Sequence, residues 1–301
     1  MAPKIKKQST NHLLMIEPAA FFANPETMAT NAYQSDDHAD VEVTSVKALE
    51  EFRALRDILV EHGVVITTVR GLPDCPDMVF PNWFYTFPDQ RMIVCPMLNQ
   101  NRRDERSDEI IALLKKMYPQ LEDWTEYEAF DLPLESTASI VSDRVNGKSY
   151  AALSPRTDEG LARKWAENEG HEIEVFHTQS HKGIPVYHTD CLMWIGSTLA
   201  GLCSECIAEE DRQRIVSSLR KTHEVVEFDN QQLQSFCGNA LEVVGANGEK
   251  FLVMSEKAMT ALTEDQMALC KEHFAKIIYS PLDTLERYGG GSARCMLAEL
   301  L

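Results

Sequence analysis

The run YGGGSARCMLAELL near the end of the chain sets a thiol a few residues after three consecutive glycines. Gly289, Gly290 and Gly291 permit a loop that passes close to a ligand or takes positive φ, and Cys295 opens the apolar strand expected behind it. A thiol so placed can be partly exposed and activated by its neighbours, although a buried packing role is the commoner fate of a single cysteine. In IPVYHTDCLMWIG, His188 and Asp190 stand two apart on an expected strand, so both side chains leave one face. A histidine beside a carboxylate serves as general base and acid, and the carboxylate also suits a cationic substrate. A hydrogen-bonded structural pair is the plainer alternative. Glu135, in LPLESTASIV, lies beside Pro133 and two leucines. Buried there it needs a partner; exposed, it merely ends a strand.

Arginines adjoin turns in NRRDER and LSPRTDEG, where Arg102, Arg103 and Arg156 have the fork that grips a carboxylate. For the NRRDER cluster a solvated helix start is the stronger reading. Asp77, in CPDMVFPNWF, precedes an aromatic strand and either binds a cation or caps a turn. Cys203-Ser204-Glu205-Cys206 has the C-x-x-C spacing, but no second pair completes a zinc set, so it reads as core packing. The glycines of GGGSARC match neither G-x-G-x-x-G nor a P-loop, which leaves a nucleotide site unsupported.

These residues need a scaffold, and composition bounds it. A chain of 301 residues with 44% hydrophobic and 25% charged residues is an ordinary globular protein with enough length for a full core. No apolar run approaches the ~20 residues of a membrane helix, and MAPKIKKQST lacks the apolar stretch of a secretory signal. The excess of 47 acids over 29 bases, a formal charge of -18, disfavours a nucleic-acid surface. Eight cysteines without a signal indicate reduced thiols in a cytoplasm.

Five segments have helical periodicity, each followed by a short apolar strand. They are LEEFRALRDILVEHG before VVITTV, SDEIIALLKKMYP before a strand near Tyr127–Leu132, Thr157 to Gly170 before HEIEVFHT, EEDRQRIVSSLRKT before HEVVEF, and Thr263 to Phe274 before KIIYSPL. Ser107 is the expected N-cap of the second, and Thr263 with Gln266 makes a capping box for the fifth. Strand couples lie between them, two marked by Asn146-Gly147 and Asn247-Gly248 turns. MVFPNWFYTF with RMIVCPM, and PVYHTDCLMWIG with LAGLCSECI, give two more; HLLMIEP and ARCMLAEL would form the last from opposite ends of the chain. Five strand-strand-helix-strand units closing a ring would leave no exposed sheet edge; an open α/β sheet with hairpins fits the same pattern. Residues 1–10 read as a disordered tail and 11–301 as one domain.

Glu135, His188 with Asp190, and Cys295 after GGGS, on that fivefold pattern, together resemble the guanidino-group-modifying enzymes. That superfamily holds arginine and agmatine deiminases, dimethylarginine dimethylaminohydrolases and amidinotransferases. The segments MIEPAAFFANPETMATN, FPNWFYTF with PMLNQNRRDER, LSPRTDEG, PVYHTDCLMWIG and GGGSARCMLAE look most like its citrulline-utilisation hydrolase (CtlX) branch. The resemblance implies a pentein fold, a five-bladed α/β-propeller of β-β-α-β units with pseudo-fivefold symmetry. It implies Cys295 as nucleophile, His188 as general acid/base and Glu135 as the orienting acid. It further implies Asp190 as guanidinium partner, Asp77 as a substrate contact, and Arg156 with one of Arg102 and Arg103 on the substrate's carboxylate.

Departures bear on the substrate. Deiminases place an aspartate after the phenylalanine of the early aromatic strand, which here reads Phe80-Pro81-Asn82-Trp83, and the CtlX branch usually carries two asparagines there. Asp190 stands where that branch often has asparagine, and Ser136 replaces the glycine usual after the glutamate. The implied reaction is attack by Cys295, proton transfer through His188, a covalent S-alkylthiouronium, and release by water of a ureido product. The implied partner is a small guanidino or ureido amino acid, with no metal or organic cofactor, no nucleic acid and no membrane; a homodimer is compatible. Transfer of the amidino group to an amine, and binding without catalysis, are the rival functions. The other seven cysteines are read as packing.

Overall fold

The computed structural model describes residues 7–35 and 37–301. Among the described residues, fifteen strands form five three-stranded sheets of one design. In each, the central strand pairs antiparallel with one neighbour and parallel with the other, and a helix carries the chain across to the parallel partner. That crossover cannot be a tight turn, because parallel strands need a long connection. The five helices are α1 (Val41–Glu61), α2 (Asp108–Met117), α3 (Glu159–Glu169), α4 (Glu209–Leu219) and α5 (Glu264–His273).

The ring closes through the ends of the chain. Strand His12–Glu17 runs parallel to Val65–Arg70 and antiparallel to Ala298–Glu299, with Leu14 opposite Ala298. This is the union of HLLMIEP and ARCMLAEL expected above, so the α/β-propeller stands and the open sheet does not. Each blade packs its helix on its sheet through an apolar stripe, such as Ala48, Phe52, Leu55 and Leu59 of α1, all fully buried. Polar side chains pair from blade to blade. Arg144 and Arg294 share Glu299, and Ser9 and Ser197 donate to Glu242.

Caps explain the helix boundaries. Ser107 accepts from Ile110 N–H at the start of α2, Thr263 and Gln266 form the expected capping box, and Gly170 ends α3 in the left-handed region. α1 begins eight residues earlier than its apolar stripe suggested, because Asp40 caps Glu42 and Val43 N–H.

Three expectations need correction. The strand after α2 is Gln120–Asp123, whereas Thr125–Phe130 is a 3-10 helix; Phe130 is 70% exposed and has no sheet to join. His188 and Asp190 are not on a strand: Thr189–Cys191 is a 3-10 turn, entered from an extended His188. Cys295 likewise sits in a 3-10 turn, Arg294–Met296, ahead of the last strand. Of the expected tail, residues 1–6 lie outside the described residues. Gln8 and Ser9 are buried, with Gln8 Nε2 donating to Ser142 O and Ile195 O, so the chain is anchored from there on. No helix among the described residues is long and apolar enough to cross a membrane.

Candidate active site

The 3-10 turns that displaced two expected strands bring the reactive groups together at one end of the ring. Thr189 fixes the first turn: its hydroxyl accepts from Ala152 N–H and donates to Ser139 O. His188 Nε2–H then donates to Glu135 Oε2 at 2.7 Å, with both side chains fully buried. The other oxygen of Glu135 accepts from Leu98 N–H at 3.2 Å, and Arg156 Nη1 lies 3.9 Å from Oε2. Burial alone would raise the Glu135 carboxyl, but the His188 hydrogen bond and the Arg156 and His188 charges win and hold it down to about 2. Burial dominates at His188 and lowers it to about 4, so the ring is neutral at pH 7. With Nε2 carrying the hydrogen, the lone pair is on Nδ1, which is buried and has no hydrogen-bond partner. A base without a partner in a buried site is poised for a substrate.

Ser136 carries the strain of this corner. It sits at φ 53°, a region glycine occupies at little cost, and its hydroxyl donates to Phe84 O. The glycine usual after this glutamate is therefore a backbone requirement, met here by a serine with a compensating hydrogen bond.

Cys295 is 3% exposed. Its sulfur lies 3.2 Å from Asn239 Nδ2 and 3.8 Å from Asp190 Oδ2, while Cys191 Sγ lies 3.8 Å from Asp190 Oδ1. A hydrogen bond from the Cys191 thiol, opposed by burial and reinforced by Ser292 N–H, Asn239 and the Arg294 charge, lowers Cys295 to about 6. Cys191 is pushed up by burial and by that same bond, and Asp190 rises well above its ordinary value through burial and the adjacent sulfur. The glycine loop before Cys295 is pinned by Tyr187 Oη, which donates to Gly290 O at 2.6 Å. Gly290, at φ 64°, has no room for a side chain: a Cβ there would stand 2.6 Å from Asn31 Nδ2.

A third group joins Asp77, Arg102 and Glu105. Asp77 Oδ2 accepts from Asn24 and Thr27, and Arg102 Nη1 stands 3.8 Å from it. Arg102 donates to Phe80 O and approaches Glu105 at 2.9 Å, out of line for a hydrogen bond. Burial drives Glu105 well above the carboxylate range. Residues 18–35, which have no helix or strand, tie the groups together. Thr27 and Thr30 accept from Arg156, and Asn31 donates to Gly289 O. Counting the buried side chains, four carboxylates (Asp77, Glu105, Glu135, Asp190) face two guanidiniums (Arg102, Arg156), with Arg294 paired to Glu299. Such an excess of acid is stable only protonated or filled by a cation.

Of the residues singled out in the sequence, Cys295, His188, Glu135, Asp190, Asp77, Arg102 and Arg156 come together, and Asn82 is buried beside Trp83 in the same segment. Arg103 does not join them. Its fork donates to Met97 O and Leu98 O and faces Glu128, which makes it a brace for the backbone that carries Leu98 N–H to Glu135. All eight cysteines are free and buried, but Cys191 is more than packing, since its sulfur lies 3.8 Å from Asp190 Oδ1 and its thiol helps to lower Cys295. The sequence also gave no reason to choose Asn239, Glu105 or the threonines of residues 18–35. Among the described residues no group of three or more metal-ligating side chains is assembled.

A family model described as N,N dimethylarginine dimethylhydrolase, eukaryotic, matches residues 17–301. No curated protein matches the chain in sequence. Among solved structures, the N-terminal domain of the cyanobacterial arginine dihydrolase ArgZ, covalently bound to a reaction intermediate, superposes with a TM-score of 0.76 at 15% identity. The match covers 96% of this chain and 97% of that one. AgrE, in complex with ornithine and NAD+, gives 0.77 at 16% identity over 96% of this chain, which spans only 39% of AgrE. A dimethylarginine dimethylaminohydrolase carrying an adduct with S-methyl-L-thiocitrulline gives 0.65 at 16% identity, covering 96% and 99%. At these identities the likeness is one of fold.

Proposed function

The chain belongs to the N,N-dimethylarginine dimethylhydrolase family, and from that premise we propose that it is a cysteine hydrolase acting on the guanidino carbon of arginine or a methylarginine. It breaks a C–N bond and releases ammonia or an amine. The observation that carries this reading is the excess of buried carboxylates around a low-pKa thiol, which calls for a cationic substrate.

The order of events follows from the protonation states. In the resting site Cys295 is a thiolate and His188 is neutral, while burial and the adjacent sulfur favour the protonated form of Asp190. A guanidinium that docks against Asp190 restores its charge, and the proton given up loads His188 at Nδ1. Glu135 favours that step, because its carboxylate accepts from the imidazolium. The thiolate adds to the cationic carbon and gives a neutral tetrahedral adduct. His188 passes its proton to the departing nitrogen, the C–N bond breaks, and a cationic S-alkylthiouronium stays on Cys295. Water then adds, losing a proton to Nδ1, and as the second adduct collapses its hydroxyl proton returns to Asp190, Cys295 leaves as thiolate and the ureido product is released. The arginine pair takes the substrate's carboxylate: Arg156 exchanges its bonds to Thr27 and Thr30 for it, which requires residues 18–35 to move aside.

A neutral ureido substrate such as citrulline fits less well, since it carries no charge to meet an ionised Asp190. Membership of a hydrolase family also favours water over an amine as acceptor. Free thiols suit a reducing cytoplasm, where we place the protein as a single catalytic domain that takes in residues 8–10 as well as 11–301.

The test is a panel of arginine, agmatine, the methylarginines and citrulline, with ureido product and released amine measured together. The expected outcome is one-to-one formation of both from a guanidino amino acid without an added acceptor. Turnover of citrulline alone, or turnover only when an acceptor amine is present, would overturn the reading.

A further inference from the structure

Asn239 is fully buried and spends every polar atom on the reactive site. Its Oδ1 accepts from Arg294 N–H at 3.0 Å, and its Nδ2 donates to Asp190 O at 2.9 Å and to Cys295 Sγ at 3.2 Å. These partners settle which end of the amide is which. Arg294 N–H is only a donor and the Asp190 carbonyl only an acceptor, so the NH2 group must face the sulfur. A thiolate accepts such a bond strongly and a thiol weakly.

The chain goes to some length to hold this side chain there. Phe236, three residues before it, takes φ 62°, an outlier for a bulky residue. Gly238 passes so close to the Thr189–Cys191 turn that a Cβ would stand 2.5 Å from Cys191 O and 2.6 Å from Leu192 C. The strained Phe236 and the bare Gly238 together let the Asn239 backbone approach the His188–Cys191 turn. From a third blade of the ring, Asn239 then bridges the turn that carries Asp190 and the turn that carries Cys295.

We propose that Asn239 is a further catalytic residue of the reaction, whose side-chain amide holds the Cys295 sulfur as a thiolate and fixes it against the guanidinium site at Asp190. The proposal rests on the function given above and deepens it. The bond matters twice in a cycle: it favours the attacking thiolate, and it favours Cys295 as leaving group when the second adduct collapses. Binding of substrate does not require it.

The experiment is the pH dependence of iodoacetamide alkylation, followed by mass spectrometry of the Cys295 peptide, in the wild type and in Asn239→Ala and Asn239→Asp. The isosteric N239D keeps an acceptor for Arg294 N–H and loses both donors, so it reports should N239A not fold. Each variant is expected to move the alkylation midpoint up by about one pH unit or more, with the wild-type rate regained above the new midpoint. In turnover, kcat at pH 7 should fall about twofold for a one-unit rise and about tenfold for a two-unit rise, with little change in KM, and recover at higher pH. A folded variant whose midpoint stays within about 0.3 units of the wild type, or whose kcat is lost equally at every pH, would overturn the proposal. Alkylation needs no substrate. If the midpoints move as stated but no guanidino compound is turned over, the thiolate role stands and the substrate reading falls.

Discussion

Glu135→Gln isolates the pairing on which proton transfer depends. In the wild type one carboxylate oxygen accepts from His188 Nε2–H at 2.7 Å and the other from Leu98 N–H at 3.2 Å. Glutamine has one oxygen and one NH2 to offer the same two donors. If the oxygen faces His188, the NH2 opposes Leu98 N–H in a buried place. If it faces Leu98, the NH2 can be accepted only by a His188 that has moved its hydrogen to Nδ1, which removes the lone pair from the side that meets substrate. Either way the imidazolium loses a charge-assisted hydrogen bond worth about 1.5–3 kcal/mol, or about 10- to 150-fold in rate. The wrong tautomer adds to that, as in a catalytic triad whose carboxylate is made an amide. We therefore expect kcat to fall by at least about 100-fold with KM changed less than about threefold, since the carboxylate acts on His188 rather than on the substrate's carboxylate grip. The assay is ureido product formation under saturating substrate, with thermal unfolding as a check on folding. A well-folded variant with kcat within about threefold of wild type, or one affected only in KM, would refute the assignment of Glu135.

Three further outcomes follow from the same geometry. Asp190→Asn removes the charge that meets a guanidinium and keeps the shape, so KM for arginine should rise about tenfold or more while any citrulline turnover is spared; equal losses on both would contradict the role given to Asp190. At φ 53°, Ser136→Gly should be more stable than Ser136→Ala by about 1 kcal/mol, a difference of about 1.5 °C in Tm and the reverse of the order at an ordinary helical position. His188 binds a proton in the unfolded chain below about 6.5 and in the folded chain only below about 4. Stability should accordingly fall as pH drops through that window, by up to about 1.4 kcal/mol per unit, and His188→Asn should flatten the slope; an unchanged slope in urea titrations would show that His188 is not the buried neutral base described.

Much of the ring was legible because its units repeat a plain pattern. Apolar stripes of helical period, the caps at Ser107 and Thr263 and the two Asn-Gly turns each act locally, and all four appear where their residues placed them. Ring closure was legible from the apolar strands at the two ends of the chain. Short segments were not. Tyr127–Leu132 is apolar enough for a strand, but the chain leaves α2 and pairs at once through Gln120–Asp123, which leaves no partner for it. The turns at Thr189–Cys191 and Arg294–Met296 are three residues each, too short for any periodicity to show, and tertiary hydrogen bonds such as those of Thr189 set them. The chemically distinctive side chains Cys295, His188, Glu135, Asp190 and Arg156 were found from their types and neighbours. Asn239 and Cys191 were not, because an asparagine and a buried cysteine carry no such signal until the fold brings them to the sulfur. Arg102 and Arg103 are adjacent and alike, and only packing separates the one that reaches Asp77 from the one that braces Met97 and Leu98.

The central claim is that the guanidino carbon becomes bonded to Cys295 during turnover. Mixing the protein with the methylarginine or arginine it turns over, quenching in acid within the first turnovers and sequencing the modified peptide tests it directly. The account predicts an S-alkylthiouronium on the peptide that contains Cys295, absent from Cys295→Ala, which should also be inactive. An adduct on Cys191 instead, or full turnover by Cys295→Ala, would contradict it.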